Sequence, residues 1–135
     1  MQFLLEFKDY VKVTAYNDKI YRVLSRALNG EGESYIHNIA EAFFKNAQVA
    51  TSQDEFIKLM LRDGIQTDWQ DEYSNIMFID VKRREAGEKY YRIGTNKLQK
   101  YYNLDFSKEG LIKTFLYNTE MKNSEKNTNE KLVMK

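Results

Sequence analysis

Basic side chains and tyrosines interleave between residues 82 and 102, and these are the residue types that bind phosphate and stack on bases. This stretch holds seven lysines and arginines against two acids. The preceding stretch, residues 51–80, has the opposite balance, with seven acids against two bases. The net charge of +1 for the whole chain therefore hides two strongly charged segments. We expect the function to lie in them.

The basic segment predicts a nucleic-acid-binding surface. Lysine and arginine neutralise backbone phosphates and release counterions, and tyrosine rings stack on unpaired bases. The candidate contacts are Lys82, Arg83, Arg84, Lys89, Tyr91, Arg92, Lys97, Lys100 and Tyr102. The plainer interpretation is a solvated turn followed by an exposed helix face, because a run of charge more often serves solubility than binding.

The acidic segment predicts a surface for a basic partner. Its candidate residues are Asp68, Trp69, Asp71 and Glu72. Carboxylates at this density resemble the phosphates of a nucleic acid in charge, so they could occupy the nucleic-acid groove of a nuclease. Solvation and pairing with the basic segment are the alternative. Trp69 suits a core anchor and an interface anchor equally well.

The chain carries no recognisable catalytic motif. It has no cysteine and one histidine, His37, so a cluster of nitrogen or sulfur ligands for a metal is excluded. A glycine-rich phosphate loop and a serine nucleophile elbow are also missing. We therefore expect no enzyme activity, no metal and no cofactor. His37 lies between apolar positions of a predicted helix and is expected to be a buried structural residue.

Capping residues and hydrophobic spacing predict the elements that carry these segments. Helices are expected after Asn17, Ser34 and Ser52, with Glu55 completing a capping box at Ser52 and Gly64 ending that helix. Three short strands are expected at residues 65–69, 76–81 and 90–93, with a turn over 82–87 between the last two. A short helix capped by Thr95-Asn96 and a last helix after Ser107 follow, the latter with Leu111, Ile112, Phe115 and Leu116 inward. Residues 3–16 suit a short helix running into extended chain.

These elements predict an α+β fold, with about five helices packed on a small, mostly antiparallel three-stranded sheet. A chain of 135 residues fits one domain, expected over residues 1–121, and the polar residues 122–135 are expected to form a mobile tail. No apolar run approaches the roughly 18 residues that span a bilayer. We therefore expect a cytoplasmic protein with no membrane partner, and the oligomeric state stays open.

The order of residues from 51 to 111 resembles a known family. The pattern comprises Ser52, Glu55-Phe56, Met60, Gly64-Ile65, Trp69, residues 75–79, residues 89–92, residues 96–98 and residues 106–111. It resembles the segment that follows the nuclease domain of MobA/MobL-type relaxases from plasmids and transposons. The resemblance implies a mobile-element setting and a nucleic-acid or nucleoprotein partner. The DNA cleavage of that family does not carry over, because its metal site needs several histidines.

Two functions from different classes follow. The first is a non-catalytic nucleic-acid-binding accessory protein of a phage, plasmid or transposon, acting through the basic and aromatic surface. The second is a protein-binding inhibitor of a host defence nuclease, similar in role to an anti-CRISPR protein, acting through the charged surfaces.

Overall fold

The computed structural model describes the backbone of residues 4–133 and the side chains of residues 4–124. This part of the chain contains, in order, α1 (Phe7–Tyr10), α2 (Asp18–Leu28), α3 (Tyr35–Ala47), α4 (Gln53–Arg62), β1 (Ile65–Asp68), β2 (Met77–Asp80), α5 (Val81–Glu85), β3 (Arg92–Gly94), α6 (Thr95–Tyr101) and α7 (Lys108–Val133). Five longer helices, two short ones and a three-stranded antiparallel sheet make an α+β fold, which confirms the predicted class.

The capping residues begin their helices as the sequence predicts. The side chains of Asn17, Ser34 and Ser52 each accept a hydrogen bond from a backbone N–H of the first turn. These bonds satisfy amides that have no partner inside the helix. The capping box at Ser52 is shifted by one residue, since Glu55 accepts from the N–H of Thr51 at 3.0 Å.

The core is built around aromatic rings on five different segments. Phe43 of α3 lies 5.4 Å from Phe56 of α4, 5.7 Å from Phe78 of β2 and 4.9 Å from Phe106, measured between ring centroids. All three pairs are edge-on, the geometry that aromatic quadrupoles favour. Phe115 of α7 completes the cluster at 5.8 Å from Phe56. Helix α3 is therefore the element against which the others pack.

The sheet has one packed face and one open face. Its order is β1-β2-β3, and both pairs are antiparallel. In the register, Phe78 stands between Thr67 and Ile93, and this row faces the helices. Because side chains alternate along a strand, the next row, Gln66, Ile79 and Arg92, lies on the opposite face.

Two local predictions around the third strand are wrong. Residues 82–87 were expected to form a turn, but Asp80 caps the short helix α5, accepting from the N–H of Arg83 at 3.1 Å. Thr95 was expected to cap α6, but Gly94 holds that position without a side-chain bond. The Thr95 hydroxyl instead accepts from the N–H of Ile76 and donates to the side chain of Asn75.

Helix α7 differs from its predicted form. Leu111 and Phe115 are buried as expected, whereas Ile112 and Leu116 are 47% and 61% exposed, so the inward face is narrower than the apolar pattern indicates. The helix continues without a break past residue 121 to Val133. The mobility expected for residues 122–135 stays a prediction, and residues 1–3 and 134–135 lie outside the described part of the chain.

The N-terminal segment agrees with the expected short helix followed by extended chain. Helix α1 is a single turn, and Val13 then forms an antiparallel bridge with Tyr102. No helix in the described residues is long and apolar enough to cross a lipid bilayer.

Replacing Asn118 by alanine should destabilise the fold. The Asn118 side-chain amide donates to the carbonyl oxygens of Ala47 and Ala50, both at 2.8 Å, and so joins α7 to the end of α3. Two half-buried carbonyls would lose their donor, and such a loss costs about 1–3 kcal/mol. Urea denaturation of Asn118→Ala measures the change. Asn123→Ala, at an exposed position of the same helix, is the matched control and should leave the free energy of unfolding within about 0.5 kcal/mol of the wild type. Equal effects of the two variants would contradict this role.

Candidate nucleic-acid interface

Arg83 is held in place by several contacts. Its Nε donates to the carbonyl oxygen of Tyr90 at 2.8 Å, and its guanidinium carbon lies 4.9 Å from the centroid of the Tyr35 ring. The Glu88 carboxylate lies 3.9 Å away. Arg83 therefore connects α5 to the loop before β3 and to the start of α3, and only part of its donor set is free for a ligand.

Tyr35 lies beside Arg83 and near two further tyrosines, Tyr90 and Tyr101. The Tyr35 hydroxyl donates to the carbonyl oxygen of Arg92 on the edge strand β3, at 3.3 Å. Burial raises the pKa of Tyr35; nearby Arg83 lowers it, and nearby Tyr101 and Tyr90 raise it further. We call Tyr35, Arg83, Tyr90 and Tyr101 the tyrosine–arginine cluster.

Lysines border this cluster on two sides. Lys89 places its ammonium 5.3 Å from the centroid of the Tyr90 ring, and this ring is 62% exposed. Lys97 precedes Tyr101 by four residues on α6, so the two side chains lie on the same face of the helix. Lys97 and Lys100 are exposed. Exposed cations and an exposed aromatic ring therefore occur together at this edge of the sheet.

Two further arginines lie on the open face of the sheet. Arg84 donates from a guanidinium nitrogen to the side-chain oxygen of Gln66 at 2.9 Å. Gln66, Ile79 and Arg92 stand opposite one another in the register. Two strand spacings of about 4.8 Å separate the first from the last. Arg84 and Arg92 therefore occupy the same exposed face.

Three predicted contacts do not join this surface as expected. Tyr102 has no exposed area: α6 ends at Tyr101, and the extended Tyr102 turns its ring inward against Phe7 at 5.3 Å. Burial strongly raises the pKa of Tyr102. Its predicted stacking on a base is wrong. Tyr91 is half-buried. Lys82 lines a separate groove of about 840 Å³ between the N-terminal segment and α3.

That groove contains a hydrogen-bonded ion pair. Lys45 lies 3.1 Å from Asp63, whose carboxylate also accepts from the side-chain amide of Asn46 at 2.9 Å. Burial acts to raise the pKa of Asp63, but the Asn46 amide and the Lys45 ammonium outweigh it, and the pKa is lowered. Lys45 is therefore already paired within the groove.

The acidic candidates are exposed and Trp69 is not. Asp68, Asp71 and Glu72 are accessible, whereas Trp69 is half-buried, 6.4 Å from Phe115 between ring centroids. Of its two predicted roles, the packing agrees with a core anchor. The Lys108 ammonium donates to the backbone carbonyls of Gln70 and Tyr73, which fixes the loop that carries the acids.

Tyr35 is the cluster residue that the sequence analysis missed. It directly follows the N-cap Ser34 and is the first residue of α3. A large aromatic side chain in the first turn of a helix is a weak signal, since it also suits ordinary packing. Only the approach of Arg83 and Arg92 from distant parts of the chain gives Tyr35 its place in the cluster.

His37 is a packed structural residue, as predicted. It is 8% exposed, its ring lies 5.6 Å from that of Phe7, and its Nε2 lies 3.5 Å from the Glu41 carboxylate. Burial lowers the pKa of His37, and Glu41 offsets this only in part. Among the described residues, no group of three or more histidine, cysteine or acidic side chains could hold a metal ion.

His37 should make stability depend on pH. Its pKa in the folded chain lies below the ordinary 6.5, so the unfolded chain binds the proton first as the pH falls. The free energy of unfolding should stay at its full value above about pH 6.5 and should decrease below that pH. Urea titrations between about pH 7.5 and pH 5.5 measure this slope.

His37→Gln should flatten the slope, because the chain has no other histidine. Glu41→Gln should steepen it, since the group that partly offsets the lowered pKa is removed. A wild-type profile that is level over this range would refute the assignment.

No family model, curated protein or solved structure matches the chain. The pattern of residues 51–111 is therefore a resemblance in residue order alone, and the candidate interface rests on the contacts described above.

Proposed function

We propose that this protein is a non-catalytic nucleic-acid-binding accessory protein of a phage, plasmid or transposon. The observation that carries the proposal is the meeting of the tyrosine–arginine cluster with exposed lysines at the β3 edge. Residues from α3, α5, α6 and the loop before β3 contribute to it. Because they come from distant parts of the sequence, the folded chain is needed to form this surface.

The exposed cations suit contact with backbone phosphates. Arg84 and Arg92 lie on the open face of the sheet, and Lys89 and Lys97 border the cluster. Such contacts give affinity without sequence preference and make binding strongly dependent on salt. Tyr90, and not the buried Tyr102, is proposed to stack on a base, since the Tyr90 ring is largely exposed. Stacking of this kind contributes about 1–3 kcal/mol per base.

The relaxase-like pattern supports the proposed setting. It covers α4, the sheet and the start of α7, the same part of the chain that carries most of the candidate interface. In that family the corresponding segment follows a nuclease domain that acts on DNA. The proposed partner is therefore a nucleic acid or a nucleoprotein complex.

Reversing two of the lysines beside the cluster should weaken binding. Fluorescence anisotropy with labelled single- and double-stranded DNA and RNA, over a salt series, should show that Lys89→Glu with Lys97→Glu lowers affinity by about tenfold or more at low salt. The slope of log K against log salt should fall by about 1.4–1.8.

The matched control is Lys58→Glu with Lys113→Glu, which reverses two exposed lysines on α4 and α7. It should change the affinity less than threefold. Wild-type affinity no better than millimolar at low salt, or equal losses in the two variants, would reject the proposed function.

A second function is favoured by the braced acidic loop. Lys108 fixes the backbone of residues 70 and 73, so Asp68, Asp71 and Glu72 are presented on an ordered segment. A rigid acidic surface suits the basic groove of a host defence nuclease, as an inhibitor would require.

A pull-down from bacterial lysate, with and without nuclease treatment, separates the two functions. If the protein is an inhibitor, a protein partner should survive the treatment and be lost with Asp71→Lys and Glu72→Lys. Lys89→Glu with Lys97→Glu is the control and should retain that partner. Loss of every bound component on nuclease treatment would exclude the inhibitor and agree with nucleic-acid binding.

A further inference from the structure

Helix α2 presents a basic face that the proposed interface does not include. Lys19, Arg22 and Arg26 follow one another at spacings of three and four, which places them on one side of the helix. Together with the exposed Val23 they line a shallow depression of about 410 Å³. Among the described side chains, none of the three basic groups takes part in an ion pair.

The segment before α2 is hydrogen-bonded to α6, and the loop after α2 leads to Tyr35 of the cluster. Four residues before the helix, Thr14 donates its N–H to the carbonyl oxygen of Tyr101 at 2.8 Å and its hydroxyl to that of Lys100 at 2.9 Å. After the helix, the chain returns so that Gly32 lies beside Arg26. A Cβ added to Gly32 would be 3.8 Å from the Cβ of Arg26. Gly32 is three residues from Tyr35, so their Cα atoms are at most about 11 Å apart.

We infer that the binding surface continues from the cluster onto the basic face of α2, and that it takes a single-stranded nucleic acid. This inference rests on the proposed function and specifies its ligand. The basic face from Lys19 to Arg26 extends about 10 Å along the helix axis. Added to the cluster, it lengthens the path over which phosphates are neutralised.

Tyr16 gives the reason for a single strand. It lies between Thr14 and the start of α2, and its side chain is fully exposed. A ring with both faces in water is open to stacking by an unpaired base. The bases of a duplex already stack on each other and present only their edges in the grooves. Tyr16 and Tyr90 are therefore two exposed aromatic platforms, one before α2 and one in the cluster.

Acidic residues limit the path at both ends of α2. Asp18 occupies the first turn, and Glu31 and Glu33 lie in the exposed loop before α3. These carboxylates repel phosphate, so the backbone of the strand is expected to follow Arg22 and Arg26 on the face of the helix and to avoid the loop.

The test compares short and long strands. Fluorescence anisotropy is measured with labelled oligothymidylate of roughly 5 and roughly 20 nucleotides, since single-strand sites span about 4–16 nucleotides. Arg22→Gln with Arg26→Gln should weaken binding of the long strand by about fivefold to tenfold and lower its salt slope by about 1.4, while the short strand keeps its affinity. Tyr16→Ala should weaken the long strand by at least fivefold.

Matched controls are Lys58→Gln with Lys113→Gln for charge and Tyr117→Ala for an exposed tyrosine. Both should leave the long strand within twofold of the wild type, and circular dichroism melts check that every variant is folded. Affinity for the long strand that is unchanged by the α2 variants overturns the inference.

The inference is also overturned if Tyr16→Ala weakens a duplex as much as a single strand. Failure of the proposed function has a different signature. In that case the wild type binds neither strand better than millimolar, or Lys89→Glu with Lys97→Glu loses no affinity.

Discussion

The packing of aromatic rings around Phe43 is the constraint on which the rest of the structure depends. It brings α3, α4, β2 and the segment before α7 into contact. The first and last of these rings, Phe43 and Phe106, are more than sixty residues apart in the sequence. Once α3 is fixed in this way, its first residue, Tyr35, is held beside β3, and its C-terminal carbonyls are held against Asn118. The candidate interface and the attachment of α7 thus follow from one buried helix.

The basic segment divides its side chains between stabilising the fold and facing solvent. Arg83 uses its guanidinium on Tyr35 and Tyr90, while Arg92, Lys97 and Lys100 remain exposed. An ordered arginine also fixes the Tyr35 ring and the backbone at Tyr90, which reduces the conformational entropy a ligand must overcome. The acids are separated in a comparable way, with Asp63 paired in a groove and Asp71 exposed on a loop held by Lys108.

Local signals predicted the helices well and the ends of the sheet less well. Asn17, Ser34 and Ser52 cap their helices because a side-chain oxygen within three residues of a free amide needs no tertiary partner. Residues 82–87 were expected to turn, since the periodic pattern of a helix is hard to see in five residues. Asp80 begins the helix by acting as its N-cap. An aspartate at the end of a strand is equally common in a turn, so the sequence alone did not distinguish the two.

The sequence by itself determined the fold class, most helix starts, the buried histidine and the separation of charge, because each depends on residues close together in the chain. The tertiary structure decided which side chains reach solvent. Ile112 and Leu116 fit an apolar helix face but are exposed, and Tyr102 is turned inward by its pairing with Val13. Tyr35 meets Arg83 across 48 residues of sequence. Exposure and such contacts depend on how distant segments pack, and residue spacing along one element does not contain that information.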